Sequence, residues 1–447
     1  MINYEKILND DGVHEISGKL CEYDTWIVGG CLRDTIWNYV HPDMMREIND
    51  IDMVTNADVE TVKELFPTST ISGTCHEIFN IKCENGITYE LSLLGSQSIE
   101  DNLSERDFMV NSVGLHVNTG KIYNEWLSVY FTEELGLSTI ETKDTDMYCK
   151  LKKDPLRLYR IARMVAMGYF DVSFILDAHV RHFLEHNDPI IPVERIRDEI
   201  MKSMLVSTNY KFFDTLVKYD IINKHLKPMS DMIDVDGGDY HNESVWDHCM
   251  NAGFIASGLT DNPLLVFAAF IHDIGKPVAW NGKNFISHNV IGADIVESLI
   301  TELKFSTKDI LYVKTLVSCH MDMVFDVKDS TLRKHLKRLD AGGVDPYDFI
   351  ILRKADFESN KKHDDKYPEE HIAKYIEAVK RVREPFDEGF TIKSLKINGN
   401  DVMNILNLNQ GKEVGDVLRE IFECVMENPE MNERETLLKH IGVNYGQ

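Results

Sequence analysis

Nowhere in its 447 residues does this chain string together the roughly 18 apolar side chains that a membrane-spanning helix needs. It also lacks any Cys-x-x-Cys pair. Its eight cysteines are scattered, which reads as reduced, intracellular thiols. The stretch from Met1 to Asp10 carries charge and has no apolar core of a secretory leader. Together these absences predict a soluble cytoplasmic protein with no membrane partner. Basic residues are scarce as well. There are 48 Lys and Arg against 74 Asp and Glu, a formal net charge of −26. That argues against a generally adhesive nucleic-acid binder but leaves room for an RNA enzyme with a local basic surface. The chain is 43% hydrophobic, enough for real cores, and its length suggests two to four domains.

What is present concentrates between residues 25 and 56. Trp26, Ile27 and Val28 read as a short buried strand, followed at once by Gly29 and Gly30. Two glycines after a strand let the backbone approach a phosphate closely and donate N–H groups to it. Arg33 and Asp34 stand at the start of the predicted helix, where a guanidinium suits a triphosphate. Asp50 and Asp52 then flank Ile51. On a strand, residues i and i+2 share a face, so both carboxylates are placed to hold Mg²⁺. Two such ions can stabilise the attacking and leaving oxygens of a phosphoryl transfer. A tight turn plus two surface acids is the plain alternative.

Val28-Gly29-Gly30-Cys31-Leu32-Arg33-Asp34, followed by Asp50-Ile51-Asp52-Met53-Val54-Thr55-Asn56-Ala57, resembles the head of the class II nucleotidyltransferases. That family contains the tRNA CCA-adding enzymes and the bacterial poly(A) polymerases. Two further segments extend the resemblance. Residues 102–111 are Asn-Leu-Ser-Glu-Arg-Asp-Phe-Met-Val-Asn; Arg106 and Asp107 match the family's second Arg and its Asp, and by resemblance help hold the nucleotide and its sugar. Residues 153–163 are Lys-Asp-Pro-Leu-Arg-Leu-Tyr-Arg-Ile-Ala-Arg. Asp154 reads as a cap and Pro155 as the first helical residue. Asp154, Arg157, Arg160 and Arg163 recur every three residues, so neighbours share a helix face. This resembles the family's Glu-Asp-x-x-Arg motif, which implies that Asp154 and Arg157 read the edge of an incoming cytosine or adenine while Arg160 and Arg163 steady the nucleotide. Glu105 and Lys153 stand where the family has Arg and Glu, and are expected to form a swapped charge pair. Salt-bridged or solvated helix residues are the plain reading of both segments.

Around these motifs, residues 1–24 read as a helix with a polar lead-in, and Val59 to Phe66 as a helix ended by Pro67. Ile78 to Lys82 and Ile87 to Leu94 read as strands paired around an Asn85-Gly86 turn. Glu90, on the second of these, is assigned to solvent, with a third acid beside Asp50 and Asp52 as the alternative. Residues 170–235 read as helical, with Pro192 to Glu199 resembling the family's neck. A boundary is placed at the Asp-Val-Asp-Gly-Gly-Asp-Tyr stretch that ends at Tyr240.

Beyond it lies a second constellation. His248 precedes a predicted helix, His272-Asp273 ends the apolar run from Leu264 to Ile271, His288 opens the next helix, His320 follows an apolar stretch, and Asp356 lies further on. Imidazole and carboxylate together suit a transition metal, with oxygen-rich subsets open to Mg²⁺ or Mn²⁺. The order resembles the HD phosphohydrolase superfamily. That implies a metal site (Ni²⁺ or Mn²⁺) with His288 and His320 serving a second ion, and, if active, a hydroxide attacking a terminal or 2′,3′-cyclic phosphate on RNA. Lys334-His-Leu-Lys-Arg338 offers a basic patch or a solvated face. The tail, with Gly399 and Gly411 before helices, resembles the end of HD-containing CCA-adding enzymes.

The expected fold is α+β: a small mixed sheet with helices in a head at 1–145, then a helical neck at 146–235, an HD domain at 236–385 and a helical tail at 386–447. The expected activity is addition of C and A from CTP and ATP to the 3′ end of tRNA, without a template and with Mg²⁺. A poly(A) polymerase, an RNA-end phosphohydrolase with a weakened head, and a non-catalytic RNA-binding module are the rivals. Oligomeric state is left open.

Overall fold

Short runs of β-branched and aromatic residues between positions 25 and 123 pair into one mixed sheet of seven strands, in the order 70–72, 78–82, 88–93, 52–55, 25–28, 114–116, 122–123. The coordinates are a computed structural model, describing residues 4–40, 42, 45, 48, 50–72, 77–85, 87–123, 139–140, 147–168, 171–238, 242–362, 366–386 and 389–446. The chain divides into two compact units, Met1–Ile190 and Ile191–Gln447. This division is coarser than the head, neck, HD domain and tail expected from sequence. No helix of the described residues is long and apolar enough to cross a membrane.

In the first unit, with four-residue helices set aside, the order is α1 (Asp11–Lys19), β1 (Thr25–Val28), α2 (Gly30–Val40), β2 (Asp52–Thr55), α3 (Val59–Leu65), β3 (Thr70–Ser72), β4 (Ile78–Lys82), β5 (Thr88–Leu93), α4 (Ile99–Glu105), β6 (Gly114–His116), β7 (Ile122–Tyr123), α5 (Met147–Lys153), α6 (Arg157–Ala166) and α7 (Phe174–His186). The lead-in predicted as one helix is broken at Asp10, whose carboxylate accepts from the N–H groups of Gly12 and Val13 and caps α1. Within this seven-stranded sheet all neighbours are antiparallel except β2 and β5, whose parallel register sets Asp52 beside Glu90. Trp26, Val28, Val54, Leu94, Ile99 and Leu103 pack α4 on the sheet. Burying each such large side chain contributes about 1.5–3 kcal/mol, so this layer fixes where β1 and β2 end. Phe66 caps α3, and β4 pairs with β5 as expected; Gly86 of their predicted turn lies outside the described residues.

The described second unit is helical: α8 (Val193–Ser203), α9 (Tyr210–Lys218), α10 (Val245–Ser257), α11 (Pro263–Ile271), α12 (His288–Glu302), α13 (Thr307–Cys319), α14 (Asp329–Gly342), α15 (Pro346–Ser359), α16 (Glu369–Arg383), α17 (Gly399–Leu406), α18 (Lys412–Glu427) and α19 (Arg434–Asn444). In α11 every residue from Leu265 to Ile271 is buried. A helix apolar all round must sit at a core, and α10, α13 and α15 surround this one. The expected basic patch is neutralised: Lys334 pairs with Glu427, Lys337 with Glu423 and Arg338 with Asp322, while His335 is buried against Asp322 and Tyr375. The N-terminus of α17 is closed by its own capping box, Asn398 with Asp401.

Candidate functional site

The head site forms where β1 stops. Gly29 turns with φ +81° and its N–H donates to the Val113 carbonyl, so it is not one of the phosphate donors expected from sequence. Its missing side chain matters differently: a Cβ there would lie 2.6 Å from the Arg106 guanidinium and 3.4 Å from the Asp52 carboxylate. The turn therefore lets Arg106 reach across to Asp52. Gly30 opens α2, whose first N–H groups remain the backbone donors of this edge.

Because β1 ends at Val28, its partner Asp52 is the first residue of β2. Asp50 lies before the strand and is exposed, so the alternation argument that joined the two acids does not apply. They still act on one another. Burial, with Glu90 and Asp50 adding repulsion against the pull of Arg106, raises the Asp52 carboxyl from 3.8 to about 6. Glu90 is exposed, and its register beside Asp52 makes it the third acid of the edge. Asp52, with Glu90 beside it in register and Asp50 near enough to oppose its ionisation, is a carboxylate edge of the kind a divalent cation favours.

Arg33 takes a different place from the one expected. It is 6% exposed, donates from Nε and Nη2 to Asp34 at 3.0 and 2.9 Å, and from Nη1 to Asn111 at 2.7 Å. It braces α2 rather than standing open to a phosphate. Arg106 has a buried Nε without a hydrogen-bond partner, and burial lowers its pKa against the pull of Asp52 and Asp107.

The segment after β7 supports this edge. α6 begins at Arg157, not Pro155, and the Asp154 carboxylate accepts from the Leu156 N–H in a tight turn. Arg157 donates to the carbonyls of Lys150 and Glu105, and Lys150 to those of Ser104 and Arg106, closing the end of α4. Arg160 meets the Asp107 carboxylate at 3.1 Å, and Asp107 also accepts from Asn111 and from the Phe108 N–H. Burial opposes charge on Asp107, but these partners hold its carboxyl below the usual range. Arg163 lies in the last turn of α6, its Nη1 near the Met167 sulfur. Glu105 accepts from Gln97 in place of the expected pair with Lys153. Both nevertheless line a cavity of about 1040 Å³ with Arg106, Lys150 and Arg157.

The second unit holds the other cluster. His248 lies inside the first turn of α10 rather than before it, His272 caps α11, His288 opens α12, His320 caps α13 and Asp356 lies on α15. Gly275 permits the close approach: a Cβ there would stand 2.1 Å from the His288 carbonyl. The Nδ1 atoms of His272, His288 and His320 lie 2.8, 2.8 and 2.7 Å from the carbonyls of Ala269, Phe285 and Val317. Carbonyls only accept, so each Nδ1 carries the proton and each Nε2 presents a lone pair. The Nε2 atoms of His288 and His320 are 3.2 Å apart, and the buried Nε2 of His272 has no hydrogen-bond partner. Converging lone pairs of this kind suit a cation between them.

Asp273 joins two sets. Its Oδ2 faces His272 at 3.3 Å and His248 at 3.8 Å, while its Oδ1 faces His288 at 3.1 Å and His320 at 3.5 Å. Asp356 Oδ1 lies 3.1 Å from His248 Nε2. Burial opposes ionisation of Asp273, yet Lys276, 2.6 Å away, holds it well below the usual carboxylate range. Ser359 and Glu243 hold the far nitrogen of His248. A cavity of about 400 Å³ opens over the cluster, lined by Lys276, Lys283, Phe285, Ile286 and Met321. Sequence reasoning did not assign roles to Lys276, Glu243 and Ser359; the Gly275-Lys276 step after His272-Asp273 was the available signal.

Two separate centres, an acid edge on a mixed sheet and a buried histidine–carboxylate cluster in a helical unit, lie, Asp356 apart, within the two segments that match known domain families. The family model for the poly A polymerase head domain matches residues 25–97 and that for the HD domain matches residues 245–341. It is similar to the A-adding tRNA nucleotidyltransferase of Deinococcus radiodurans, 26% identical over 73% of this chain and 75% of that one. It is similar in the same degree to the CC-adding tRNA nucleotidyltransferase of Thermus thermophilus, 25% identical over 74% of each. In fold it resembles the crystal structure of the Bacillus stearothermophilus CCA-adding enzyme in complex with CTP, with TM-score 0.63 and 18% identity over 98% of this chain and 96% of that one.

Proposed function

We propose that the chain is a CCA-adding tRNA nucleotidyltransferase of the cytoplasm, extending the 3′ end of tRNA with C and A from CTP and ATP. The observation that carries this reading is the edge where Asp52, in register with Glu90, is acted on by Asp50 and Arg106. Asp52 and Asp50, with Glu90, are assigned to hold Mg²⁺, which supplies the charge that an α-phosphate needs as a 3′-hydroxyl attacks it. Arg106 is assigned to the triphosphate, together with the N–H groups at the start of α2 and the lysines of the adjoining cavity. Asp107 and Arg160 position Arg106 by fixing the segment that bears it. Gly29 provides room for Arg106, and Arg33 braces the turn. Asp154 and Arg157 are assigned to base selection, which requires Arg157 to leave the carbonyls it now serves; Arg163 belongs to the same helix. Catalysis of this kind rests on positioning and electrostatics.

We also assign His248, His272, Asp273, His288, His320 and Asp356 to a metal centre, with Asp273 shared between two ions of the Mn²⁺ or Ni²⁺ kind. Such a centre polarises a phosphoester for attack by water, which fits a phosphatase or 2′,3′-cyclic phosphodiesterase. Lys276 holds Asp273 ionised and faces the cavity. We assign residues 1–145 to the head, 146–235 to the neck, 236–385 to the HD domain and 386–447 to the tail.

The test supplies three tRNA transcripts, ending before CCA, after C and after CC, with CTP and ATP given separately and Asp52→Ala as control. Ordered addition of C, C and A, lost in the control, is the expected result. The A-adding and CC-adding relatives make addition of only one nucleotide a meaningful second outcome. No addition by the folded, metal-supplied protein overturns the transferase reading and leaves the HD centre as the active one.

A further inference from the structure

We propose that the last turn of α7 is a third metal site, separate from both clusters above, in which His182, Glu185 and His186 bind an ion of the zinc, nickel or copper class. Their spacing, i, i+3 and i+4, sets all three on one helix face. Their donor atoms lie within 4.8 Å of one another. Atoms bound to one such ion at about 2.0–2.2 Å stand up to about 4 Å apart, so side-chain rotation alone closes the site. The tautomer is already set. Nδ1 of His186 is 2.9 Å from the His182 carbonyl, so it carries the proton and leaves the Nε2 lone pair for an ion. The two imidazole rings are 4.4 Å apart, and Tyr148 of α5 packs on His182 at 5.2 Å, which restricts its rotamers. Lys152 is drawn over the Tyr148 ring, 5.4 Å from its centre.

Two imidazoles and one carboxylate favour a transition metal over Mg²⁺. His186 is the last residue of α7, where the negative end of the helix dipole favours a cation. All three ligands are exposed, so an ion enters without disturbing the core, and its fourth position faces solvent. A bound ion links residues four apart and holds the final turn helical.

The test counts Zn²⁺ bound to the full chain by equilibrium dialysis. H182Q/H186Q is expected to bind one Zn²⁺ fewer than the wild type, E185Q to bind it more weakly, and H272A, which alters only the buried cluster, to retain it. Equal counts in the wild type and H182Q/H186Q overturn the proposal. A second readout uses Cu²⁺. On the H272A background, adding H182Q/H186Q is expected to remove one copper's share of the electron paramagnetic resonance signal with nitrogen hyperfine lines; an unchanged signal also overturns the proposal.

Discussion

Replacing Asp52 with Asn should abolish nucleotide addition and, without metal, make the head more stable. The structure sets the size of the effect. Burial and the neighbouring acids raise the Asp52 carboxyl from 3.8 to about 6. At about 1.36 kcal/mol per pH unit, the ionised carboxylate costs the fold about 3 kcal/mol. The native state binds this proton more tightly than the unfolded chain does. The cost is therefore near zero around pH 4, grows as pH rises towards 6, and is complete above it. Asn imitates the neutral acid and escapes the cost. The assay is thermal unfolding of both proteins in chelator. At pH 7.5 the Asn variant should melt on the order of 6–12 °C higher for a domain of this size, and at pH 5 by about half as much. Chelator strips the HD cluster in both proteins alike. Adding Mg²⁺ should narrow the gap, because it stabilises only the protein with the carboxylate. An Asn variant that melts at or below the wild type at pH 7.5, or a gap that does not shrink at pH 5, refutes the account of Asp52 as a strained, cation-seeking acid.

Arg160→Met should destabilise the head by about 2–3 kcal/mol in denaturant unfolding, since it strands the buried Asp107 carboxylate, and Asp107→Asn in the same chain should recover part of the loss. Gly29→Ala should lower addition by forcing Arg106 away from Asp52 at a left-handed backbone position, measured as initial rate against ATP concentration. Gly275→Ala should cost about 1–3 kcal/mol and reduce metal content, measured by melting and elemental analysis, because its Cβ collides with the His288 carbonyl. His272→Ala should abolish any cyclic-phosphate hydrolysis while sparing nucleotide addition, with Asp52→Ala showing the reverse.

Local patterns carried much of the architecture. The Trp26-Ile27-Val28 strand, the β4–β5 hairpin, the apolar α11 and the histidines that cap or open helices were all legible, because apolar periodicity and turn residues act over short distances. What sequence could not convey was where long side chains go. Arg33 folds back onto Asp34 and Asn111, a partner 78 positions away. Arg157 and Lys150 spend their donors on carbonyls at the end of α4, and no spacing rule announces such contacts. Asp50 read as a strand residue because alternation says nothing about where the neighbouring strand runs out. Glu90 read as solvent-facing, which it is; its neighbour Asp52 comes from a parallel strand far away in the chain, and only the register reveals the pair.

That parallel pairing also bears on how such a protein can change over time. The segment from Asn56 to Ile87 leaves from the end of β2 away from the acids and returns to their side at the start of β5, where strand register sets Glu90 beside Asp52. Insertions or deletions in the loops of this excursion, outside β3 and β4, can therefore alter what surrounds the edge without moving Asp52 and Glu90 apart. The shift of a single residue within β5, by contrast, would turn Glu90 to the opposite face. Loop length here is free to drift, while strand phase is held fixed.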